Sequence, residues 1–334
     1  MSPKVYESPL IVITGAAGLI GSCTVKHLNQ LGHDNLLLVD DIKTTDKWKN
    51  LRNKKFVDFI SKHQLMDWLD GRESEVDAII HLGACSDTME SNGDYLMENN
   101  YRFSVKLADF ALDHGQRFIY ASSAATYGDG KLGFKDNHDE LESLKPLNMY
   151  GFSKHLFDLW IKEQGVLDLS VGLKYFNVFG PNENHKMHMS SMVYKMTPII
   201  QQKGYVELFK SSEPDLYPDS GQLRDFIYVK DAVRMTCDFL ENDATGIFNI
   251  GSGQTTSWNE LAMALFNALG QRPDLRYIDM PEGLKKQYQN YTCADMDKYR
   301  QVHGLLPSQP VCQYTIQQAV SDYVQNYLVK DERW

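Results

Sequence analysis

A glycine-rich turn between an apolar run and a helical segment constrains this chain's fold more than any other feature. The stretch LIVITGAAGLIG places Gly15, Gly18 and Gly21 directly after a short β-branched run, and helically spaced apolar residues follow. Such a turn lets a pyrophosphate approach the backbone at a helix N-terminus, whose dipole favours anions. The pattern predicts a dinucleotide site. A turn that only packs helix against strand is the alternative interpretation.

Apolar runs and helical segments alternate after this turn as far as residue 180. Further strands are predicted at NLLLVDD (35–41), VDAIIHLGA (76–84), RFIYASSAA (117–125) and LSVGLKYFNVFG (169–180). Segments such as YRFSVKLADFALDHG between them have helical spacing. Continuous apolar strands alternating with helices are typical of a parallel sheet covered on both faces. We therefore predict an α/β fold with a doubly wound, Rossmann-type parallel sheet.

The chain divides where this alternation weakens, near residue 180. We predict a dinucleotide-binding domain over residues 10–180, joined by later elements near 224–252. Loop-like and turn-rich stretches and shorter elements follow residue 180. Residues 181–330 are predicted to form mainly a smaller, partly interleaved substrate-binding lobe.

Charge and composition exclude several classes of partner. The 334 residues carry a formal net charge of -10, which disfavours binding to nucleic acid or to an anionic membrane surface. No apolar run approaches the roughly 20 residues that span a bilayer. The five cysteines lack the spacing of a disulfide framework or a zinc site, and the histidines lack metal-ligand spacing. We expect a cytoplasmic protein without a metal.

Acidic and basic residues after the second predicted strand bear on the choice of cofactor. Asp40 stands at the strand end, about where an acid accepts hydrogen bonds from the adenosine ribose of NAD, and Asp41 adds to the negative charge. A 2′-phosphate, as in NADP, would need positive charge nearby. The nearby lysines are Lys43, Lys47, Lys49 and Lys62. Each is either a phosphate contact or a solvated surface lysine.

The segment LNMYGFSKHLFD brings two chemically useful side chains to one helix face. Tyr150 and Lys154 are four residues apart and can point into the same cleft. An ammonium and an oxidised nicotinamide would both favour the tyrosine phenolate, which is a base for an alcohol that loses hydride. Ser123, at a predicted strand end, can hydrogen-bond the same oxygen. The alternative for the pair alone is aromatic packing beside a surface lysine.

The chain resembles the extended short-chain dehydrogenase/reductases along nearly its whole length. The segments ITGAAGLIG, HLGA, YASSAATYG, YGFSK, YFNVFGP, RDFIYVKD and GIFNIGSG occur in that family's order. Within the family, GACSDT, ENNY, PLNMYGFSK, YFNVFGPNENHKMHMSS and LKKQYQNYTCADM are most similar to epimerases of nucleotide-linked heptoses. The resemblance implies an NAD(P)-dependent nucleotide-sugar epimerase.

The resemblance also implies a set of cofactor contacts. The pyrophosphate is assigned to Gly15, Gly18, Leu19, Ile20 and Gly21. The ribose is assigned to Asp40 and Asp41, and further cofactor contacts to Leu82, Gly83, Ala84, Cys85, Ser86, Asn99, Lys154 and Val178. Tightly bound NADP is expected from the resemblance, with Lys47 and Lys62 on its phosphate. Asp41 is a departure from the usual neutral residue and leaves NAD as the alternative.

Inverting a carbon that bears a hydroxyl requires proton transfer at two positions of the oxygen. By resemblance Tyr150 is the first base and Lys186 the second. The alternative for Lys186 is a loop lysine on the diphosphate. Related sequences carry KGSM here, whereas this chain has KMHM. The implied substrate contacts are Asn177, His188, Lys195, Phe209, Lys210, Ser211, Ser212, Arg224 and Tyr288. Arg224 is the preferred phosphate ligand because guanidinium binds phosphate bidentately, and a structural ion pair is its alternative.

Three functions remain for comparison. The expected one is epimerisation of a heptose on a nucleoside diphosphate, through a ketone. Another nucleotide-sugar epimerase, such as a UDP-hexose 4-epimerase, is the alternative within the family, and SSAAT at residues 122–126 argues against a 4,6-dehydratase. A dinucleotide-sensing protein without catalysis would be expected to lose Tyr150 or Lys154, and both are present. Relatives form homo-oligomeric rings, commonly pentamers, so a homo-oligomer is expected.

Overall fold

The computed structural model describes residues 9–285 and 289–334. The strands there are β1 (Leu10–Thr14), β2 (Leu36–Val39), β3 (Asp58–Ile60), β4 (Val76–His81), β5 (Arg117–Ser123), β6 (Ser170–Tyr175), β7 (Asn177–Phe179), β8 (Val206–Phe209), β9 (Leu223–Arg224), β10 (Phe226–Tyr228), β11 (Gly246–Ile250), β12 (Thr256–Ser257) and β13 (Leu275–Ile278). The helices are α1 (Leu19–Gln30), α2 (Leu65–Leu69), α3 (Gly93–Leu96), α4 (Phe103–Asp113), α5 (Met149–Glu163), α6 (Met192–Lys203), α7 (Val229–Asp238), α8 (Trp258–Leu269), α9 (Glu282–Lys285), α10 (Asp297–Val302) and α11 (Ile316–Tyr323).

A seven-stranded sheet organises the first part of the chain, in the order β11-β6-β5-β4-β1-β2-β3. Strand β1 pairs in parallel with both β2 and β4, and β2–β3 and β4–β5 are also parallel pairs. The predicted α/β fold with a doubly wound sheet is confirmed. The strand order reverses between β1 and β4, and ligands of such folds bind outside the carboxyl ends of strands at that reversal.

Both faces of the sheet are covered by helices. On one face Ile11 and Ile13 of β1 pack with Val25 and Leu28 of α1. On the other face the alternate residues of β1, Leu10 and Val12, lie in a cluster with apolar residues of α2, α4 and α5, among them Leu65, Leu107, Phe157 and Ile161. Burial on both faces explains why β2 is apolar throughout and why β1 is apolar up to its last residue, Thr14, instead of alternating.

The prediction of one strand over residues 169–180 is wrong, because the chain leaves the sheet after Tyr175. The Phe176 amide donates a 3.0 Å hydrogen bond to the Ile250 oxygen, and β7 then pairs with β10 instead of continuing β6. The sequence stays largely apolar across the break because Phe176 and Phe179 are buried and Val178 is half-buried. Periodicity alone therefore gave no sign of the break.

Contacts divide the chain into two compact units. Unit 1 comprises the chain up to Thr126 with Asn137–Lys174 and Val233–Phe248; unit 2 comprises Tyr127–Asp136, Tyr175–Ala232 and Asn249–Trp334. Unit 2 contains the strand pairs β7–β10, β8–β13 and β9–β12. None of the helices within residues 9–285 and 289–334 is long and apolar enough to cross a membrane.

Candidate active site

The glycine turn at the end of β1 has the geometry of an anion cradle. Gly15 has φ +67°, and a Cβ there would lie 2.7 Å from the Gly83 nitrogen. A Cβ on Gly21 would lie 2.1 Å from the Gly15 oxygen. Gly18 precedes α1, whose first turn starts with Leu19 and Ile20 and has no acidic residue. The backbone can thus approach a pyrophosphate at an uncompensated helix N-terminus, and the residues present fit a dinucleotide.

Asp40 and Asp41 lie beside lysines in unit 1. The Asp40 carboxylate accepts hydrogen bonds from the Ala17 amide at 2.9 Å and from Lys47 Nζ at 2.6 Å. Asp41 accepts a 2.7 Å hydrogen bond from Ser61 Oγ, and its other oxygen is 3.8 Å from Lys62 Nζ. A groove runs past both acids and is lined by Asp40, Asp41, Ile42, Lys43, Phe59, Ser61 and His63. Each acid therefore has a lysine close to it.

Asn100 holds the loop after β4 and was missed by the sequence analysis, which selected its neighbour Asn99. Its side chain exchanges two hydrogen bonds with the Cys85 backbone, at 2.8 and 2.9 Å. It also donates to Ser153 Oγ of α5 at 3.0 Å. Both asparagines lie in a π-helical segment, Met97–Arg102, and such widened turns often occur at functional sites. Asn100 thus ties the loop of residues 82–86 to the helix that carries Tyr150.

The sequence could have indicated Asn100, the second asparagine of ENNY, because an asparagine that is buried needs hydrogen-bond partners. Asn99 itself accepts a hydrogen bond from Lys62 Nζ and donates one to Asn100. Within the same loop Leu82, Gly83, Ala84 and Cys85 are half-buried, and Ser86 is exposed. Lys62, Asn99 and Asn100 therefore form a chain of hydrogen bonds that ends at Cys85.

Tyr150 and Lys154 lie on the first turns of α5, as predicted. The helix begins after Asn148, whose side chain accepts a 2.8 Å hydrogen bond from the Gly151 amide. Lys154 is buried, and its Nζ donates a 2.8 Å hydrogen bond to the Ala121 oxygen in β5. Ser123 is the last residue of β5, and its side chain is hydrogen-bonded to Tyr150. These three side chains therefore come together at the end of one strand.

Burial dominates the electrostatics of this group. Burial raises the pKa of Tyr150, and the hydrogen bond with Ser123 opposes that rise. Burial lowers the pKa of Lys154 to about 8, against the attraction of Asp158 one turn along α5. Lys154 alone therefore does not give Tyr150 a low pKa. An additional positive charge, such as an oxidised nicotinamide carries, is needed to favour the phenolate.

Lys186 lies in unit 2, in a loop that we call the Lys186 loop (residues 180–191). Its amide donates a 2.8 Å hydrogen bond to the Glu183 oxygen. Burial lowers the pKa of the Lys186 side chain, Glu183 opposes this and Lys195 adds to it. Lys195 Nζ donates a 2.6 Å hydrogen bond to the His188 main-chain oxygen. Lys195 therefore supports the loop on which Lys186 lies.

Met187 has a backbone conformation that favours glycine. Its φ is 49° and its ψ is -117°, and its side chain is largely exposed. The family resemblance described above implies a glycine at this position, in the motif KGSM. The substitution by methionine therefore places a side chain on a strained backbone beside Lys186.

The remaining predicted residues of unit 2 lie on or beside short strands. Asn177 and Val178 are in β7, where the Asn177 side chain donates a 2.8 Å hydrogen bond to the Asp225 oxygen. Arg224 is buried in β9. Phe209 ends β8 and is followed by Lys210, which pairs with Asp279, and by the half-buried Ser211 and Ser212. Tyr288 lies outside the described residues.

Asp225 is a structural hub that the sequence analysis did not identify. Its buried carboxylate accepts hydrogen bonds from the backbone amides of Ser252, Gly253 and Ala294, at 2.7, 3.0 and 2.9 Å. A Cβ on Gly251 would lie 2.8 Å from the same carboxylate. Asp225 therefore fixes the backbone at Ser252, Gly253 and Ala294, and its carboxylate leaves no room for a side chain at position 251.

The seven-stranded parallel sheet of unit 1 and the grouping of Ser123, Tyr150 and Lys154 at the end of β5 fit an enzyme of the short-chain dehydrogenase/reductase type. A sequence model of the NAD dependent epimerase/dehydratase family matches residues 11–251, and the chain belongs to that family. The predicted family is thereby confirmed. Membership makes a nicotinamide dinucleotide the cofactor.

Individual relatives agree with this assignment. The chain is 47% identical to the ADP-L-glycero-D-manno-heptose-6-epimerase of Nitratidesulfovibrio vulgaris (strain DP4), over 96% of this chain and 98% of that protein. It is 42% identical to the protein of the same name from Fusobacterium nucleatum, over 97% of this chain and 100% of that protein. The solved structure of the Helicobacter pylori ADP-L-glycero-D-manno-heptose-6-epimerase is similar with a TM-score of 0.78 and 28% identity, covering 96% of each chain.

Proposed function

We propose that this protein epimerises C6 of the heptose in ADP-D-glycero-β-D-manno-heptose and forms ADP-L-glycero-β-D-manno-heptose, a precursor of the lipopolysaccharide core. The observation that carries the proposal is the similarity over nearly the whole chain to proteins named for this heptose, at 47% identity. The grouping of Tyr150, Ser123 and Lys154 at the end of β5 supports it, because that set can move a proton at a hydroxyl.

The first half of the proposed reaction uses unit 1. When bound, a nicotinamide dinucleotide supplies the redox capacity that lets a secondary alcohol pass through a ketone and back. Tyr150 removes the proton of the C6 hydroxyl, and Ser123 orients the Tyr150 phenol through the hydrogen bond between them. Lys154, fixed on the Ala121 oxygen, keeps a positive charge near the tyrosine below pH of about 8. Asn100 orients the loop of residues 82–86 against α5.

The second half requires a proton group for the inverted oxygen. The configurations at C6 place the hydroxyl on opposite sides, so a single tyrosine cannot serve both. We assign the second role to Lys186, whose lowered pKa brings it closer to the range in which an amine exchanges protons. A contact with the diphosphate is the competing role.

The nucleotide is assigned to side chains of unit 2. Arg224 and Lys195 are the proposed diphosphate ligands because both are cationic, and guanidinium suits bidentate contact. The other proposed substrate contacts are Asn177, His188, Phe209, Lys210, Ser211, Ser212 and Tyr288. Replacing Arg224 with Lys should raise KM for the nucleotide sugar, since the bidentate contact is lost.

NADP is the proposed form of the cofactor. Lys47 and Lys62 each lie beside an acid at the rim of the groove near Asp40 and Asp41, so positive charge is present for a 2′-phosphate. We also infer a homo-oligomer from the family resemblance, and a cytoplasmic location from the scattered cysteines and the short apolar runs of the sequence. Light scattering after size exclusion tests the first, and cell fractionation tests the second.

The decisive experiment incubates the purified protein with ADP-D-glycero-β-D-manno-heptose without added cofactor. NMR reports the epimer composition, and mass spectrometry identifies the nucleotide released on denaturation. An equilibrium mixture that the Tyr150→Phe variant does not form supports the proposal. An unchanged heptose together with turnover of a UDP-hexose would replace it by the alternative epimerase.

A further inference from the structure

Trp334 is joined to the Lys186 loop by a reciprocal pair of hydrogen bonds. The Trp334 amide donates to Asn182 Oδ1 at 2.9 Å, and Asn182 Nδ2 donates to the Trp334 oxygen at 3.0 Å. Asn182 is fully buried and has φ 76°, a backbone conformation that asparagine tolerates better than most residues. Both hydrogen bonds connect segments 152 residues apart in the sequence. The side chain of Asn182 thus binds the main chain of Trp334 as both acceptor and donor.

The indole of Trp334 lies beside the partly buried ammonium of Lys230. Lys230 Nζ lies 5.4 Å from the Trp334 ring centroid and forms a 2.6 Å ion pair with Asp322. Three more rings surround the same ammonium at 5.0 to 5.9 Å, those of Tyr228, Tyr314 and Tyr327. The Tyr228 hydroxyl also donates to Asp322 at 2.6 Å. The Lys230 ammonium is neutralised by Asp322 and lies among the three tyrosine rings. It therefore fixes the position of the indole through a cation–π contact.

A short stretch of backbone, residues 183–185, connects Asn182 to Lys186. Glu183, the next residue, is buried, and its carboxylate accepts a 2.6 Å hydrogen bond from Ser191 Oγ, which closes the loop. The Lys186 amide in turn donates to the Glu183 main-chain oxygen. Three residues therefore separate the anchored asparagine from the lysine, and a backbone hydrogen bond spans most of that distance. A shift of Asn182 therefore moves the backbone from which the Lys186 side chain extends.

We propose that Asn182, Lys230, Asp322 and Trp334 form a clamp, the Trp334 clamp, that positions Lys186 for proton transfer. These are positioning residues, because they act through the backbone of the loop. The inference deepens the proposed function and rests on it for the role of Lys186. The clamp explains why the last aromatic residue of the sequence is bonded to a loop that carries a proposed catalytic group.

The test compares graded changes in the full chain. Trp334→Ala removes the indole, and Trp334→Phe retains an aromatic ring over Lys230. Asn182→Asp retains the acceptor for the Trp334 amide but replaces the donor by a carboxylate facing the Trp334 oxygen. Leu306→Ala, at an exposed leucine of the same unit, is the control. For each variant kcat, KM, the bound dinucleotide and hydrogen exchange over residues 180–191 are measured.

The expected result is a fall in kcat on the order of tenfold for Trp334→Ala and Asn182→Asp, with KM and bound dinucleotide unchanged. Hydrogen exchange over the Lys186 loop should rise in both. Trp334→Phe and Leu306→Ala should behave like the parent protein. In a Lys186→Ala background, Trp334→Ala should cause no further loss of kcat, because both changes remove the same contribution.

Two outcomes would overturn the clamp. The first is unaltered hydrogen exchange over residues 180–191 in Trp334→Ala and Asn182→Asp. The second is a multiplied loss of kcat in the double variant, which would mean that Trp334 acts independently of Lys186. Failure of the parent protein to turn over the ADP-heptose would instead count against the proposed function, while the exchange measurement still decides whether Trp334 anchors the loop.

Discussion

The Lys154 ammonium donates its 2.8 Å hydrogen bond to the main-chain oxygen of Ala121, two residues before Ser123 in β5. The lysine therefore ties α5 to the strand that carries the serine, and it does so as a buried cation. A neutral carbonyl compensates only part of the cost of burying that charge. Burying this charge near Tyr150 thus lowers the stability of the fold at neutral pH.

The pH dependence of stability should reveal this cost. The pKa of Lys154 is about 8 in the folded protein and about 10.5 when unperturbed. Between these two pH values Lys154 is therefore protonated in the unfolded chain and largely neutral in the folded protein. Stability therefore rises with pH in that window, and the full penalty is present below pH 8. The free energy of unfolding of the parent protein, minus that of Lys154→Met, should increase by about 3 kcal/mol from pH 7 to 10.5. Urea unfolding measures it, and a constant difference would contradict the burial of this charge.

Tyr150→Phe should abolish turnover and leave dinucleotide binding near normal. Only the phenolic oxygen is lost, and proton transfer by a positioned group contributes roughly 10²–10⁴-fold. The rate of epimer formation and the nucleotide released on denaturation are the two measurements. Tyr101→Phe, at a partly buried tyrosine packed on the core of unit 1, is the matched control and should keep full activity. A Tyr150→Phe variant with parental activity would remove Tyr150 from the proposed base role.

Local patterns were enough to predict the central architecture. The strand, glycine turn and helix at residues 10–30 depend on spacing within one segment, and the structure has β1, the turn and α1 there. The position of Ser123 at the end of β5 and of Tyr150 and Lys154 on α5 followed in the same way. These features are predictable because each is determined by residues close in sequence.

Long-range contacts were not predictable from the single sequence. Asn100 bonds to Cys85 and Ser153, and Trp334 bonds to Asn182 across 152 residues. No periodicity marks such pairs, because the partners are far apart in the sequence and only the folded chain brings them together. The break after Tyr175 belongs to the same class, since it depends on pairing between β7 and β10.

Lys62→Gln should discriminate between the two dinucleotides. If Lys62 contacts the 2′-phosphate, its loss should weaken NADP binding on the order of tenfold and leave NAD binding unchanged, because charge-assisted contacts to phosphate contribute about 1.5–3 kcal/mol. Lys55→Gln is the control, as that exposed lysine pairs with Asp34. Titration of each nucleotide into protein freed of cofactor gives both affinities. Tighter binding of NAD than NADP by the parent protein would show that Asp40 and Asp41 prevail.

Asp158→Asn should destabilise unit 1 strongly. Asp158 and Lys174 form a 2.8 Å ion pair in which both side chains are almost wholly buried, and Ser122 and Tyr120 also donate to the carboxylate. Removing the negative charge beside a buried ammonium typically costs 3–5 kcal/mol, so a loss of about 3 kcal/mol or more is expected in urea unfolding. Glu142→Gln breaks the more exposed pair with Lys162 and should cost less than about 1 kcal/mol. Equal losses in the two variants would contradict the burial argument.

Met187→Gly should stabilise the protein. Methionine at φ 49° and ψ -117° carries a backbone strain of roughly 1–3 kcal/mol, and its exposed side chain loses little buried contact on removal. The greater freedom of glycine in the unfolded chain lowers the free energy of unfolding by about 0.5–1 kcal/mol. A net increase in the free energy of unfolding of about 1 kcal/mol is therefore expected. Met187→Ala retains the strain and is the control for loss of the side chain. Thermal unfolding of the three proteins checks the order, and a Tm for Met187→Gly at or below that of Met187→Ala would show that the backbone at residue 187 is not strained.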